Sequence, residues 1–192
     1  EATKNQLYTD IYDDSMWLIN LVENLLSVTR IEEGRLNLHI TEDLVDDVIT
    51  EALHHVNRKS VEHHITVRHK EDYLLAKMDA KLMVQVVINI VDNAIKYTPK
   101  GSNILIKTWK QGDKAVISIA DDGDGIPDEM KERVFDMFYS GANKIADSRR
   151  SLGLGLSLCR SIVNAHAGKI TVSDNTPHGT VFTITLPAGE VE

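Results

Sequence analysis

Asn89 and Asn93 stand four residues apart in Val84-Gln85-Val86-Val87-Ile88-Asn89-Ile90-Val91-Asp92-Asn93-Ala94-Ile95-Lys96-Tyr97, a segment otherwise apolar nearly all round. That spacing puts both amides on one face of a helix, and Lys96 and Tyr97 continue the face. Such a helix belongs in an interior, where buried amides need partners. Carboxamide oxygens are hard donors that suit Mg²⁺, an ion that usually binds together with phosphate. Lys96 would add positive charge for the phosphates, and Tyr97 an aromatic face beside a base. Neighbouring backbone groups would satisfy the two asparagines equally well, so this segment alone leaves both readings open.

Two further segments carry chemistry. Asp121-Asp122-Gly123-Asp124-Gly125-Ile126-Pro127 follows a strand-like stretch and precedes a short helix. Gly123 and Gly125 let a backbone approach a ligand closely. Asp121, at the strand end, is an acceptor for an exocyclic amine such as that of adenine. A calcium loop is the rival, because Asp121, Asp122 and Asp124 are close together. An EF-hand, however, needs a bidentate Glu at fixed spacing and two flanking helices, and a plain acidic turn is the other alternative. The third segment, Ser148-Arg149-Arg150-Ser151-Leu152-Gly153-Leu154-Gly155-Leu156-Ser157, is a glycine-rich loop opening a helix. Free N–H groups and the helix dipole would point there at an anion. It fits neither a Walker loop nor a GxGxxG dinucleotide turn, and by itself it also suits a tight helix start.

The elements that must position these residues follow from periodicity. Residues 5–33 read as one long helix: Ile11, Leu18 and Leu25 repeat at seven, Tyr8, Ser15, Val22 and Thr29 fill a second seam, and Leu7, Leu21 and Leu26 widen the stripe. Such a face asks for partner helices, and pairing with another chain is the favoured reading over packing on its own domain. Leu36, Leu38 and Ile40 alternate like a strand, and Asp43–Arg58 reads as a helix with Asp43 as N-cap. Strands are expected near 64–69 and 73–78. Asp79 should cap the amide-bearing helix, which Pro99 and Gly101 stop near Tyr97. A hairpin about Gln111-Gly112-Asp113 joins 103–109 to 115–120, and a short helix covers 129–135. Residues 139–150 lack periodicity, 152–167 read as helix, and 169–173 with 180–186 close the fold around Asn175-Thr176-Pro177-His178-Gly179. The expected fold class is α+β, a two-layer sandwich with helices on one face of a mixed, largely antiparallel sheet, preceded by one long helix. The expected domains are 1–34 and 35–192.

With 192 residues, 42% hydrophobic and 26% charged, the chain has a globular balance. Its 21 basic against 29 acidic residues give −8, which disfavours nucleic acid as a partner. A single cysteine, Cys159, excludes an internal disulfide and fits a reducing compartment. No apolar run approaches the roughly 18 residues that span a bilayer. The chain opens Glu1-Ala2-Thr3-Lys4, with neither Met nor a secretory signal, and reads as a piece of a longer protein.

Taken together, the three segments resemble the sensor histidine kinases of two-component systems. Asn89 to Tyr97 resembles the N box of that family, Asp121 to Ile126 the G1 box, Phe135-Asp136-Met137-Phe138 the F box, and Gly153-Leu154-Gly155-Leu156 the G2 box. Gly179-Thr180 is similar to its last glycine motif. Residues 5–33, through Leu21 to Leu26 and Arg30 to Gly34, resemble the second helix of its dimerisation and phosphotransfer hairpin. The stretches Arg149 to Cys159 and Asp174 to Pro177 look most like the potassium-responsive branch of the family. The resemblance implies a Bergerat-type sandwich with ATP as substrate and Mg²⁺ as its ion. Asn93 would then bind the metal, Asn89 would support metal and phosphate, and Lys96 would contact phosphate. Tyr97 would flank adenine and Asp121 accept its amine. Gly123, Gly125, Ile126, Ser151, Leu152, Gly153, Leu154, Gly155 and Thr180 would complete the pocket, with 139–152 as a lid. It also implies a response regulator as partner, a homodimer in the full-length protein, and a cytoplasmic domain of a membrane-anchored sensor.

The chain departs from the family pattern in three places. Ser151 stands where a glycine is usual, so hinging would shift to Gly153 or the hydroxyl would cap the helix. His166-Ala167-Gly168 replaces His-Gly-Gly, a change expected to be harmless. None of His39, His54, His55, His63, His64, His69, His166 and His178 has the context of a phosphoaccepting histidine. The clustered His54, His55, His63 and His64 fit no standard zinc spacing and read as surface residues. Related gyrase-type ATPases carry a glutamate where this chain has Asn89, and an amide cannot serve as a base towards water. Transfer to a histidine on a missing first helix is therefore expected rather than hydrolysis. A module that binds nucleotide or dimerises without catalysis, and a gyrase-type ATPase, are the alternatives.

Overall fold

The computed structural model describes residues 37–56, 62–139 and 153–190, and, nearer the start, residues 7, 8, 11, 12, 15, 18, 19, 22, 23, 25–27, 29–31 and 33. Those between 7 and 31 are all helical and are labelled α1. Then follow β1 (Thr41–Leu44), α2 (Val45–His55), β2 (His64–His69), β3 (Leu75–Met78), α3 (Ala80–Tyr97), β4 (Asn103–Gln111), β5 (Lys114–Asp121), α4 (Asp128–Lys131), a 3-10 turn (Arg133–Phe135), α5 (Gly155–Ala165), β6 (Lys169–Asp174) and β7 (Thr180–Pro187). The main sheet has the order β2-β4-β5-β7-β6, antiparallel except for the parallel β2–β4 pair. β1 and β3 form a separate two-stranded ladder.

The alternation along β4 and β5 turns Ile104, Ile106, Ile117 and Ile119 towards the helices, where they meet Val86, Val87 and Ile90 of α3 and Leu158 and Ile162 of α5. Each such buried side chain contributes about 1.5–3 kcal/mol of transfer free energy. Asp79 caps α3 as its sequence predicts, accepting from Leu82 N through Oδ1 (3.4 Å) and from His39 N through Oδ2 (3.1 Å). Its own N–H donates to Nε2 of His166, whose Nδ1–H donates to the Ile162 carbonyl, so one buried histidine ties α3 to α5. The far end of α3 is closed by Thr98, which donates to Ala94 O (2.6 Å). No helix among the described residues is long and apolar enough to cross a membrane.

The boundaries differ from the sequence reading in four places. Residues 37–40 are not a strand; β1 begins at Thr41 because its pairing is with β3, Thr41 opposite Met78. Asp43 is a strand residue opposite Ala76, and α2 starts at Val45, whose N–H goes to Leu74 O. The 129–135 helix is broken into α4 and a 3-10 turn. α5 begins at Gly155 because Gly153 sits at φ +65°, outside the helical region. Ala167 is the finding against its expected harmlessness. Its φ is +53°, so an L-residue holds a left-handed position that glycine fills at about 1 kcal/mol less strain.

On α1, Leu7, Tyr8, Ile11, Tyr12, Leu18 and Val22 are exposed, whereas Ile31 packs against the domain core. His54 and His55 are exposed at the end of α2, with His55 paired to Glu51 (2.8 Å), and His63 hydrogen-bonds Thr98 Oγ1 through Nε2 (3.0 Å).

Candidate nucleotide site

The central strand β5 delivers Asp121 to the end of the sheet, between β4, where Ile104 is its register partner, and Thr180 at the start of β7. Its carboxylate Oδ1 accepts N–H groups from Gly123 (2.9 Å) and Thr180 (3.1 Å). Both bonds fall on one oxygen. Burial pushes the Asp121 carboxyl above the ordinary carboxylate range. The two backbone amides oppose that shift, and the neighbouring Asp122 charge adds to it. Asp122 behaves oppositely. Its partial burial raises the carboxyl, but bonds from Asn103 N (3.0 Å) and Nδ2 (2.8 Å) outweigh this and hold it low. The two adjacent carboxylates thus face different neighbours and do not converge, which removes the calcium-loop alternative. Among the described residues, no group of three or more His, Cys, Asp or Glu side chains is placed to hold a metal ion.

Two glycines are fixed by this geometry. A Cβ on Gly123 would meet Thr98 Cγ2 at 2.9 Å, so the loop lies directly on the end of α3. Gly179, at φ +113°, carries the chain so close that a Cβ would overlap the Asp121 carbonyl oxygen. Gly125 rests against the Gly179 carbonyl in turn, and Ile126 anchors the loop on the core.

The amide helix presents the other half of the site. Asn89 and Asn93 are half-buried, while the surrounding Val86, Val87, Ile90, Val91 and Ala94 are fully enclosed. Asn89 Nδ2 is buried and no backbone carbonyl accepts from it. Cys159 beside it donates weakly to Val86 O (3.7 Å); burial pushes its thiol up to about 12, with the Asn89 amide pulling the other way. Asn89 Oδ1 faces Gly155, the first residue of α5, where a Cβ would stand 3.7 Å away. Lys96 and Tyr97 are exposed, with Lys96 Nζ 5.5 Å from the Tyr97 ring centre. Leu154 is buried and Thr180 is enclosed beside Asp121. Ser151, Leu152 and the 140–152 part of the expected lid lie outside the described residues, as do Arg149 and Arg150.

Gly155 lies against Asn89, Gly123 lies against Thr98 and the Tyr97 carbonyl at the end of α3, and Gly123 and Thr180 hold Asp121. Sequence reasoning missed Thr98, which closes α3 and touches the loop. It also left unassigned Asn175 and His178, which reach Asp121 O (2.8 Å) and Gly123 O (3.1 Å). The Asn-x-Pro-x-Gly turn was visible, but nothing local says which loop such a turn will touch.

A half-open sheet with helices on one face, a buried carboxylate at a strand end and amides on the facing helix define an ATP-binding sandwich of the Bergerat class. A family model described as histidine kinase-, DNA gyrase B-, and HSP90-like ATPase matches residues 78–190, and the chain belongs to that family. The sensor protein KdpD of Clostridium acetobutylicum is 41% identical over 187 residues, covering 97% of this chain and 21% of that protein. The chain thus spans about a fifth of that relative's length. The catalytic domain of the histidine kinase ThkA is 30% identical with a TM-score of 0.69, covering 78% of this chain and 95% of that one. ThkA in complex with the response regulator protein TrrA is 28% identical, TM-score 0.69, over 89% of this chain and 49% of that one.

Proposed function

We propose that this chain is the nucleotide-binding catalytic portion of a protein-histidine kinase, with 35–192 as the catalytic domain and 1–34 as the second helix of a dimerisation hairpin. The observation that carries the reading is the buried Asp121 at the end of β5, one carboxylate oxygen of which is held by the N–H groups of Gly123 and Thr180. Asp121 presents its second oxygen to the adenine amine, and Tyr97 flanks the base. Lys96 neutralises phosphate charge, and the N–H groups at the start of α5 face the same anion. Asn93, supported by Asn89, would hold Mg²⁺, which supplies charge neutralisation of the triphosphate when bound. The half-buried, oxygen-bearing amides suit such an ion, whereas the buried Asn89 Nδ2 is a donor and suits a phosphate oxygen. Phosphoryl transfer needs positioning and charge compensation more than covalent chemistry. The amide at Asn89 offers no base to water, so the acceptor is a histidine of the parent protein's first helix. A response regulator then receives the group, a partner supported by the ThkA–TrrA complex. Similarity to KdpD supports a potassium-responsive, membrane-anchored, dimeric parent.

Calorimetry with Mg-ATP tests this directly. Saturable binding is expected, with Asn93→Ala weakening it at least about tenfold through lost ion coordination. Absence of binding by folded protein, or wild-type affinity in Asn93→Ala, would refute the reading.

A further inference from the structure

We propose that Asn175 and His178, in the turn between β6 and β7, are positioning residues that aim the base-reading carboxylate of Asp121 and thereby set the preference for adenine over guanine. The inference deepens the nucleotide reading and rests on it. Three donors from this turn and the residue after it reach three acceptors in 121–123. Asn175 Nδ2 donates to the Asp121 carbonyl (2.8 Å), His178 Nδ1 to the Gly123 carbonyl (3.1 Å), and Thr180 N to Asp121 Oδ1 (3.1 Å). Asp121 is therefore gripped at both ends, main chain and carboxylate. Because a carbonyl only accepts, His178 carries its proton on Nδ1.

The grip is itself braced. Asn175 N donates to Gly179 O (2.9 Å), and Asn175 Oδ1 accepts from Thr176 N (2.9 Å), so the side chain that holds Asp121 has no free rotation. Two antiparallel strands can be joined by two residues. A five-residue turn that spends two side chains on a neighbouring loop does more than connect. A carboxylate that distinguishes an amine from a carbonyl must be held to within about 0.5 Å and 10–20°. Adenine offers an amine donor at the position where guanine offers an acceptor, so a loosened Asp121 loses its advantage for ATP, while the phosphate contacts on α3 and α5 remain. His178 is exposed and Asn175 half-buried.

The experiment is calorimetric titration of the whole chain with Mg-ATP and Mg-GTP, with melting curves recorded without nucleotide. The variants are Asn175→Ala, Asn175→Asp and His178→Ala. Asn175→Asp keeps the acceptor for Thr176 N but puts an oxygen against the Asp121 carbonyl, so it separates aiming from turn formation. Both Asn175 variants are expected to lose about three- to tenfold in ATP affinity, the effect of one positioning hydrogen bond. GTP affinity should move far less, so the ATP-over-GTP ratio shrinks by a similar factor. His178→Ala should shrink that ratio about twofold; its exposure makes it the deciding variant if either Asn175 substitution fails to fold. An unchanged ratio in the folded variants, equal losses for ATP and GTP, or wild-type behaviour in Asn175→Asp would overturn the proposal. A wild-type chain that binds neither nucleotide would instead strike the nucleotide reading itself, and the clasp with it.

Discussion

Asp121→Asn separates what this side chain does for the ligand from what it costs the fold. The asparagine keeps an oxygen for the amides of Gly123 and Thr180, but loses the charge and presents an NH₂ where the adenine amine would arrive. A hydrogen bond to a charged group is worth about 1.5–3 kcal/mol, so ATP affinity should fall roughly 10- to 150-fold. Stability should move the other way. Burial raises the Asp121 carboxyl above its unfolded value, which means folding favours the proton. That contribution is fully present below the unfolded pKa and is lost as pH rises through the raised folded one. At pH 7.5 the wild type thus bears a partly buried charge that the variant lacks. Asp121→Asn should melt at or above the wild-type temperature at pH 7.5, with its lead shrinking as pH is lowered into the carboxylate range. Melting curves at several pH values and Mg-ATP calorimetry check both halves. A variant that melts lower at pH 7.5, a lead that grows in acid, or ATP affinity within twofold of wild type would refute the reasoning.

Gly179→Ala should destabilise by about 3 kcal/mol, read by urea unfolding, because a methyl would enter the Asp121 carbonyl at a backbone angle L-residues avoid. Ala167→Gly should stabilise by about 1 kcal/mol in the same assay, by relieving the left-handed alanine after α5. Cys159, fully buried with its thiol pushed up to about 12, should resist iodoacetamide at pH 8 in the native protein and react only as fast as the fold opens. Rapid alkylation under native conditions would contradict that burial.

Much of the fold was legible because its signals are local. The cap at Asp79, the apolar run of α3, the stop at Pro99 and the hairpin turn at Gly112 each need only their neighbours in the chain. The amides were legible as candidates for the same reason: two carboxamides on an otherwise apolar helix need partners, whether a ligand or neighbouring backbone supplies them. What escaped is non-local. Asp43 has the chemistry of an N-cap, yet strand pairing with Ala76 claims its backbone. The glycine-rich segment fits a helix start at 152, but the left-handed angle at Gly153 delays it to Gly155. Thr98, Asn175 and His178 join the site only through contacts with a loop 25 to 55 residues away in the chain, as between Thr98 and Gly123 or His178 and Gly123.

The pairing of β5 with β7 has a thermodynamic corollary. The hairpin of β4 and β5 and that of β6 and β7 close locally, but only their lateral union, Ala120 opposite Val181, brings the Asp121 carboxylate to the amide of Thr180. A ligand seated there grips both hairpins at once and has no counterpart in a partly assembled chain. At one hundred times its dissociation constant it would add about 2.7 kcal/mol to the free energy of opening that seam. Protection of β5 and β7 amides from solvent exchange should therefore track nucleotide concentration, making cellular ATP a determinant of how long the fold survives.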